Sequence, residues 1–333
     1  MYALLGISIL LAGLLTINAL ATLSATALWR AMSNRAQKWA AETRAQIIFA
    51  LRIFPTVGAI ACVLALLAPS YIAHEPAVTN ETVSKKLAVL AFVSAIGIAL
   101  ALWRGLASWR ATRRLTADWL RYAEPLKIEG IQIPTYLIRH PFPVIAIVGA
   151  FKPRLFIARQ IFDALNEAEI AAAIAHERGH LATFDNLKRG GLRACRDTLS
   201  IVPCGRSLDR VWAEAAEAAA DEYAAREGAG VALDLASALV KIARLVPPRA
   251  KPTMPAAAYL IGDGAGGVGW RVRRLTQLAS LDCALPARRL LTSPLALWVA
   301  LLGFLCALTL AALNSNMLWL MHDAIERVVS LLS

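Results

Sequence analysis

The sequence predicts a mainly α-helical integral membrane protein, with four transmembrane helices and an α+β domain between the third and the fourth. Three observations predict it. Residues 1–29, 53–73, 87–103 and 291–321 form apolar blocks without a single charged side chain, in a chain that is 58% hydrophobic. Each block is about long enough to cross roughly 30 Å of hydrocarbon as a helix, the third being the shortest. Between Arg104 and Arg289 lies a more polar stretch of roughly 185 residues, enough for one domain with its own core.

The first block has no basic residue ahead of its apolar run and is long for a secretory leader, so it reads as a span rather than a cleaved signal. The connection after it holds Arg30, Arg35, Lys38, Arg44 and Arg52 against Glu42. The connection between the second and third blocks, His74 to Lys86, is short and mixed in sign. Arg104, Arg110, Arg113 and Arg114 follow the third block. The positive-inside rule then puts the first connection and the domain in the cytoplasm of a bacterial-type inner (plasma) membrane, with both termini outside. The chain divides into spans over 1–103, a cytoplasmic domain over 104–290, a fourth span over 291–321 and a short outer tail over 322–333. The net charge of +12 is mostly this topology signal. The lipid bilayer is the implied partner, and a direct nucleic-acid partner is the weaker reading, because the Arg clusters flank spans without interleaved aromatics. Nothing in the pattern sets an oligomeric state.

The domain opens with a basic amphipathic helix, about Leu106 to Glu124, continuing from the third span. Val144-Ile-Ala-Ile-Val148 and Arg154-Leu-Phe-Ile-Ala158, joined by Gly149-Ala-Phe-Lys-Pro153, read as a β-hairpin. Asn166 with Glu169 three residues on makes a capping box that starts a helix. That helix carries His176-Glu177-Arg178-Gly179-His180. Residues four apart share a helix face, so His176 and His180 can point two imidazoles at one zinc ion. Glu177 beside them is placed to act on a water as general base.

A catalytic zinc needs a third protein ligand. A later helix, about Leu208 to Arg226 with Ser207 as cap and Gly228 beyond its end, puts Glu214, Glu217 and Asp221 on one face among alanines. Small residues there let two helices approach closely. Glu217 is the expected third ligand, because Asp221 then falls one turn on, able to hydrogen-bond a ligand imidazole. Glu214 shares the face and competes for the role.

A helical HExxH followed by Glu217-Ala-Ala-Ala-Asp221 on a later helix resembles the gluzincin metallopeptidases of membranes: the HtpX-type and CAAX-prenyl proteases, and most closely the BlaR/MecR-type sensor-transducers. Three spans before the domain and one after it resemble that last group. So do Gly149 to Ala158 and His180-Leu-Ala-Thr-Phe-Asp185-Asn186. The resemblance covers nearly the whole chain, with specific motifs only between about residues 144 and 226. It departs at the C-terminus, where those sensors carry a large penicillin-binding domain and this sequence has about a dozen residues past Met321.

The chemistry expected is hydrolysis of a peptide bond. Zinc is held by His176, His180 and Glu217, Glu177 moves the proton, and a positive or hydrogen-bonding group holds the oxyanion. Arg271 in Trp270-Arg-Val-Arg-Arg-Leu275 and Tyr223 are the candidates for that last role, against a surface arginine and a packed tyrosine. Asp185 either orients a ligand histidine or caps the next helix. The strand 144–148 either pairs with a substrate strand or is plain core. Gly264 to Gly269 matches GxGxxG without the surrounding βαβ unit and reads as a loop. His140 reads as a loop histidine, and His322 lies near the outer membrane face. The five cysteines, Cys62, Cys195, Cys204, Cys283 and Cys306, show no CxxC pairing and read as structural. The implied function is a membrane zinc endopeptidase acting on a protein or peptide, in signalling a transcriptional repressor or the chain itself. The alternatives are a quality-control protease of HtpX type and a non-catalytic zinc-binding receptor or scaffold.

Overall fold

Uncharged length sets the long helices. In the computed structural model, which describes residues 1–76, 83–128, 131–198, 205–246, 267–280 and 294–332, three runs are long and apolar enough to cross a membrane. They are α1 (Tyr2–Ala36), the run Ala41–His74, and α4 (Lys85–Arg121). The middle run is α2 (Ala41–Cys62), a π-helical turn over Val63–Leu67, and α3 (Ala68–His74). One polar pair links the first two of these spans: the Thr56 hydroxyl donates to Asn18 Oδ1 at 3.2 Å. As the sequence predicts, α4 continues past the apolar block as one helix to Arg121.

The apolar block at 291–321 is not one straight helix. It is divided between α11 (Pro294–Ala312) and α12 (Ser315–Leu332), bent by 87° at the break. The cause is local: Asn314 Oδ1 accepts from the backbone N–H groups of Asn316 and Met317, a side-chain cap that starts a new helix. Residues 322–332 continue α12.

The domain carries a four-stranded sheet, order β1-β2-β4-β3, built from β1 (Glu124–Leu126), β2 (Thr135–Ile138), β3 (Ile145–Val148) and β4 (Arg154–Ala158). The β3–β4 hairpin is antiparallel and turns at Gly149, whose φ of +104° suits glycine. β2 runs parallel to β4, and β1 antiparallel to β2. After the short α5 (Arg159–Ala164) come α6 (Glu167–Ala182), α7 (Asp185–Thr198), α8 (Gly205–Ala225), α9 (Ala229–Leu245) and α10 (Gly267–Ser280). The Asn166–Glu169 capping box is formed in both directions at the start of α6. α8 begins at Gly205, so Ser207 lies inside the helix and does not cap it; Gly228, with φ +146°, follows its end.

Two apolar clusters hold the domain in place. In one, β3 and β4 pack on Ala172 to Ala175 of α6 and on Leu235, Leu239 and Ile242 of α9. In the other, Trp29, Ala36, Ala45 and Ile48 of the first two spans pack on Leu192, Leu208, Trp212, Ala215 and Ala216. The ends of α1 and α2 thus form the seat on which α7 and α8 rest. A part-buried ion pair, Arg52 Nε to Asp209 at 2.9 Å, ties α2 to α8 beside this seat. Cys62, Cys195 and Cys306 are free thiols. Cys204, Cys283 and Gly264 to Gly266 lie outside the described residues, as does part of the connection between α3 and α4.

Candidate metal centre

The pentad sits in the second half of α6, where the helix is buried on nearly every side: His176, Glu177, Gly179 and His180 are all buried. α8 crosses α6 at close range. A Cβ added to Gly179 would stand 3.0 Å from Ala220 Cα and 3.1 Å from Tyr223 Cβ, so glycine is needed where the two helices touch. Alanines 215, 216, 218, 219, 220 and 224 on α8 are buried and leave the room that this approach needs.

The approach brings three ligating groups together. Ligand atoms of His176, His180 and Glu217 all lie within 4.8 Å of one another. The two imidazoles are perpendicular, with ring centres 4.8 Å apart. Glu217 Oε2 is 3.6 Å from His176 Nε2, and its Oε1 is 3.6 Å from His180 Nε2. These gaps are too long for hydrogen bonds. They match ligands about 2.1 Å from one ion, which stand about 3.4 Å apart at a tetrahedral angle. His180 Nε2 and Glu177 Oε1 are buried with no hydrogen-bond partner. Orphaned buried atoms of this kind are costly unless something occupies the space they face. The donor set, two imidazoles and one carboxylate, suits zinc.

Each imidazole is oriented from behind. His176 Nδ1 is 2.9 Å from Asp221 Oδ1, and His180 Nδ1 is 2.7 Å from Asp185 Oδ2. These bonds turn each Nε2 toward Glu217, where His180 Nε2 has no partner and His176 Nε2 has Arg271 Nη2 at 3.4 Å. Asp185 is the first residue of α7 and reaches His180 because the chain turns within two residues, Thr183 and Phe184. Phe184 takes φ +56°, a left-handed conformation costing about 1–3 kcal/mol in a residue with a bulky side chain. Asp185 is thus a helix-start residue and the partner of His180 at once.

Carboxylates outnumber cations here. Glu177, Asp185, Glu217 and Asp221 face Arg189, Arg271 and the more distant Lys188. Burial would raise Glu217, but His180, His176 and Arg271 hold it well below the usual carboxylate range. Burial likewise opposes the ionisation of Asp221, yet Arg271 and His176 bring it down to about 2. His180 is pushed up to about 10: burial works against its charge, and Glu217 and Asp185 prevail. Glu177 goes the other way. Burial lifts its carboxyl above the ordinary range despite the opposing pull of His180 and His176. A field that stabilises positive charge at the His180 imidazole, beside a carboxyl inclined to hold a proton, fits a divalent cation next to a general base.

Arg271, from α10, is buried and not a surface arginine. It grips Asp221 through Nε at 2.9 Å and Nη2 at 2.5 Å, and its Nη1 is 3.2 Å from Glu217. Its Nη2 also stands 3.3 Å from His176 Nδ1. Tyr223 is not brought to this group. It lies about 120° round α8 from Glu217, packs on Gly179, and lines a separate recess with Glu42 and Thr183. Glu214 is outside the ligand cluster and lines the neighbouring cavity. β3 is the edge strand, but Ile147 is already engaged there. Its N–H donates to Glu177 Oε2 at 3.1 Å, and its carbonyl accepts from Asn186 at 2.7 Å. All four β3 residues are buried, which favours the core reading.

Arg189, whose Nη2 is 3.0 Å from Glu217 Oε1, and Asn186 on the β3 carbonyl have roles that no motif makes legible in the sequence. The only available signal was position: one and four residues after Asp185 on α7. A cavity of about 810 Å³ opens beside Glu217 and Arg271, lined by Trp29, Trp39 and Arg44 from the span ends and by Trp270 and Arg274 from α10.

Residues 109–240 match the model of a protein family described as Peptidase family M48. The stretch runs from within α4 into α9 and contains every group of the centre except Arg271. No curated protein matches the chain. The match supports a gluzincin-type metallopeptidase.

Proposed function

We propose that this chain is an integral membrane, zinc-dependent endopeptidase acting on a protein segment close to the membrane surface. The observation that carries the reading is the convergence of His176, His180 and Glu217, each imidazole held from behind by a carboxylate, next to a Glu177 oxygen without a partner. His176, His180 and Glu217 would hold the ion. When bound, zinc supplies Lewis acidity, making water a nucleophile near neutral pH and polarising a carbonyl. Glu177 accepts a proton from water at the free Oε1 while Ile147 N–H keeps Oε2 in place, then gives that proton to the leaving nitrogen. Its raised proton affinity suits both halves of that task. Arg271 is the candidate for holding the developing oxyanion, and its pairing with Asp221 keeps the guanidinium facing Glu217 and His176.

The membrane-proximal substrate rests on the cavity, whose walls are shared by the ends of α1 and α2 and by α10. Tryptophans 29, 39 and 270 suit a segment at the membrane–water boundary. A regulatory role, cutting a repressor or the chain itself, is supported by how α2 reaches the centre. The Ala41 N–H, at the start of α2, donates to Glu222 Oε2 at 3.0 Å, next to Asp221. A shift of that span would move the residue beside the partner of His176.

The test uses the full chain in lipid nanodiscs, stripped with a chelator and reloaded with Zn²⁺. One peptide is offered free in solution and tethered to the bilayer. Cleavage is expected to vanish on stripping, return with Zn²⁺, and run faster on the tethered form. Cleavage that survives complete stripping would contradict the reading.

A further inference from the structure

A second group of ligating side chains lies at the opposite end of the bundle. α3 ends at His74, Glu75 follows it, and α12 passes beside them. His322 and Glu326 are four apart on α12 and so share one face. Ligand atoms of Glu75, His322 and Glu326 all lie within 4.8 Å of one another, and the three residues are half-buried. His322 Nδ1 is enclosed and has no hydrogen-bond partner. The His74 ring stacks on His322 at 5.7 Å, which fixes the imidazole plane.

The surrounding structure holds the two elements in register. One turn before the cluster, the Ser70 hydroxyl donates to the Leu318 carbonyl at 2.7 Å, joining α3 to α12. Ile325 of α12 packs into an apolar cluster with Leu5, Tyr71 and Leu87, beneath the face that carries Glu326. Along α2 and α3 the group is about 50 Å from Ala41, which touches the pentad's domain. It shares no residue with the candidate zinc centre.

We propose that Glu75, His322 and Glu326 bind a divalent first-row transition-metal ion such as Zn²⁺ or Mn²⁺. One imidazole and two carboxylates form a donor set suited to such ions, whereas Ca²⁺ and Mg²⁺ favour oxygen ligands throughout. An ion there would be held by two carboxylates and by an imidazole whose Nδ1 has no hydrogen-bond partner. It also staples α12 to α3. Because α12 turns away from α11 by 87°, that staple fixes the outer limb of the bent pair against the second span.

Metal analysis and calorimetric titration of the full chain in nanodiscs test the proposal, with Zn²⁺ as probe and excess Mg²⁺ as competitor. The background is His176→Ala with Glu177→Gln, which disables the first centre and prevents self-cleavage. That protein is expected to retain about one ion per chain. Adding His322→Ala or the isosteric Glu326→Gln should lower the affinity at least about tenfold, with helical content unchanged by circular dichroism. No metal in the double-variant background would overturn the proposal, as would binding that persists after both further substitutions. Equal displacement by Mg²⁺ would overturn the transition-metal assignment.

Discussion

The two ligand clusters near opposite ends of the run Ala41–His74 use similar donors in different settings. His176, His180 and Glu217 are buried, and each histidine has a carboxylate behind it that dictates which nitrogen faces the centre. Glu75, His322 and Glu326 are half-buried, with a stacked histidine where the other cluster has aspartates. Only the first has a general-base candidate with a free buried oxygen, and only the first adjoins the large cavity. The difference teaches that ligands alone make a binding site. A catalytic reading requires a proton acceptor, orienting partners and room for a substrate.

That contrast can be broken most forcefully at Glu217. Glu217→Ala is expected to remove zinc from the pentad and abolish cleavage, whereas Glu214→Ala keeps both; metal analysis and a cleavage assay check it. The reverse pattern would move the third ligand to Glu214. His322→Ala should leave cleavage unchanged within about twofold, since its cluster lies about 50 Å away along the helices.

The orienting carboxylates come next. Asp221→Asn and Asp185→Asn are each expected to weaken zinc binding about 10- to 100-fold, read by competition with a chelating dye. If either variant binds zinc like the parent, that histidine does not depend on its partner.

Packing gives a smaller effect that is unrelated to the metal. Gly179→Val forces α6 and α8 apart, and thermal unfolding should show a loss of about 3 kcal/mol. Smaller again is the capping box. Burial would raise the Glu169 carboxyl, but Lys241, Ser237 and the Asn166 N–H hold it below its ordinary value. A depressed folded value means stability that is present above the ordinary carboxylate range and lost as pH falls through the folded value. Glu169→Gln should cost about 1–2 kcal/mol at neutral pH and flatten this acid limb in a series of thermal melts.

What could be read from the sequence was what local spacing encodes. The HExxH pair, the Asn166–Glu169 box, the β3–β4 hairpin and the long α4 each depend on neighbours within a few turns. Glu217 was legible because an acidic face among alanines is unusual, even though the partner helix lies far along the chain. Hidden were features that arise only when distant segments meet. Arg271 could not be told from a surface arginine until α10 packed on Asp221. Tyr223 looked equivalent to Arg271, yet its direction on α8 turns it toward Gly179. β1 and β2 are three and four residues long, one containing Pro125, too short to leave a periodic signature. The break at Asn314 was written in Asn314-Ser-Asn316 but concealed by the apolar residues around it. The second cluster joins Glu75 to α12, a pairing that no local pattern announces.

The central claim, that the pentad and Glu217 form a catalytic zinc centre with Glu177 as its base, is tested most directly by one side-by-side measurement. Wild type and Glu177→Gln are reconstituted in the same nanodiscs, and zinc content and peptide cleavage are read on each sample. The account predicts equal zinc in both and cleavage lower in the variant by about 10²- to 10⁴-fold. Equal cleavage by the two proteins, or no zinc in either, would contradict it.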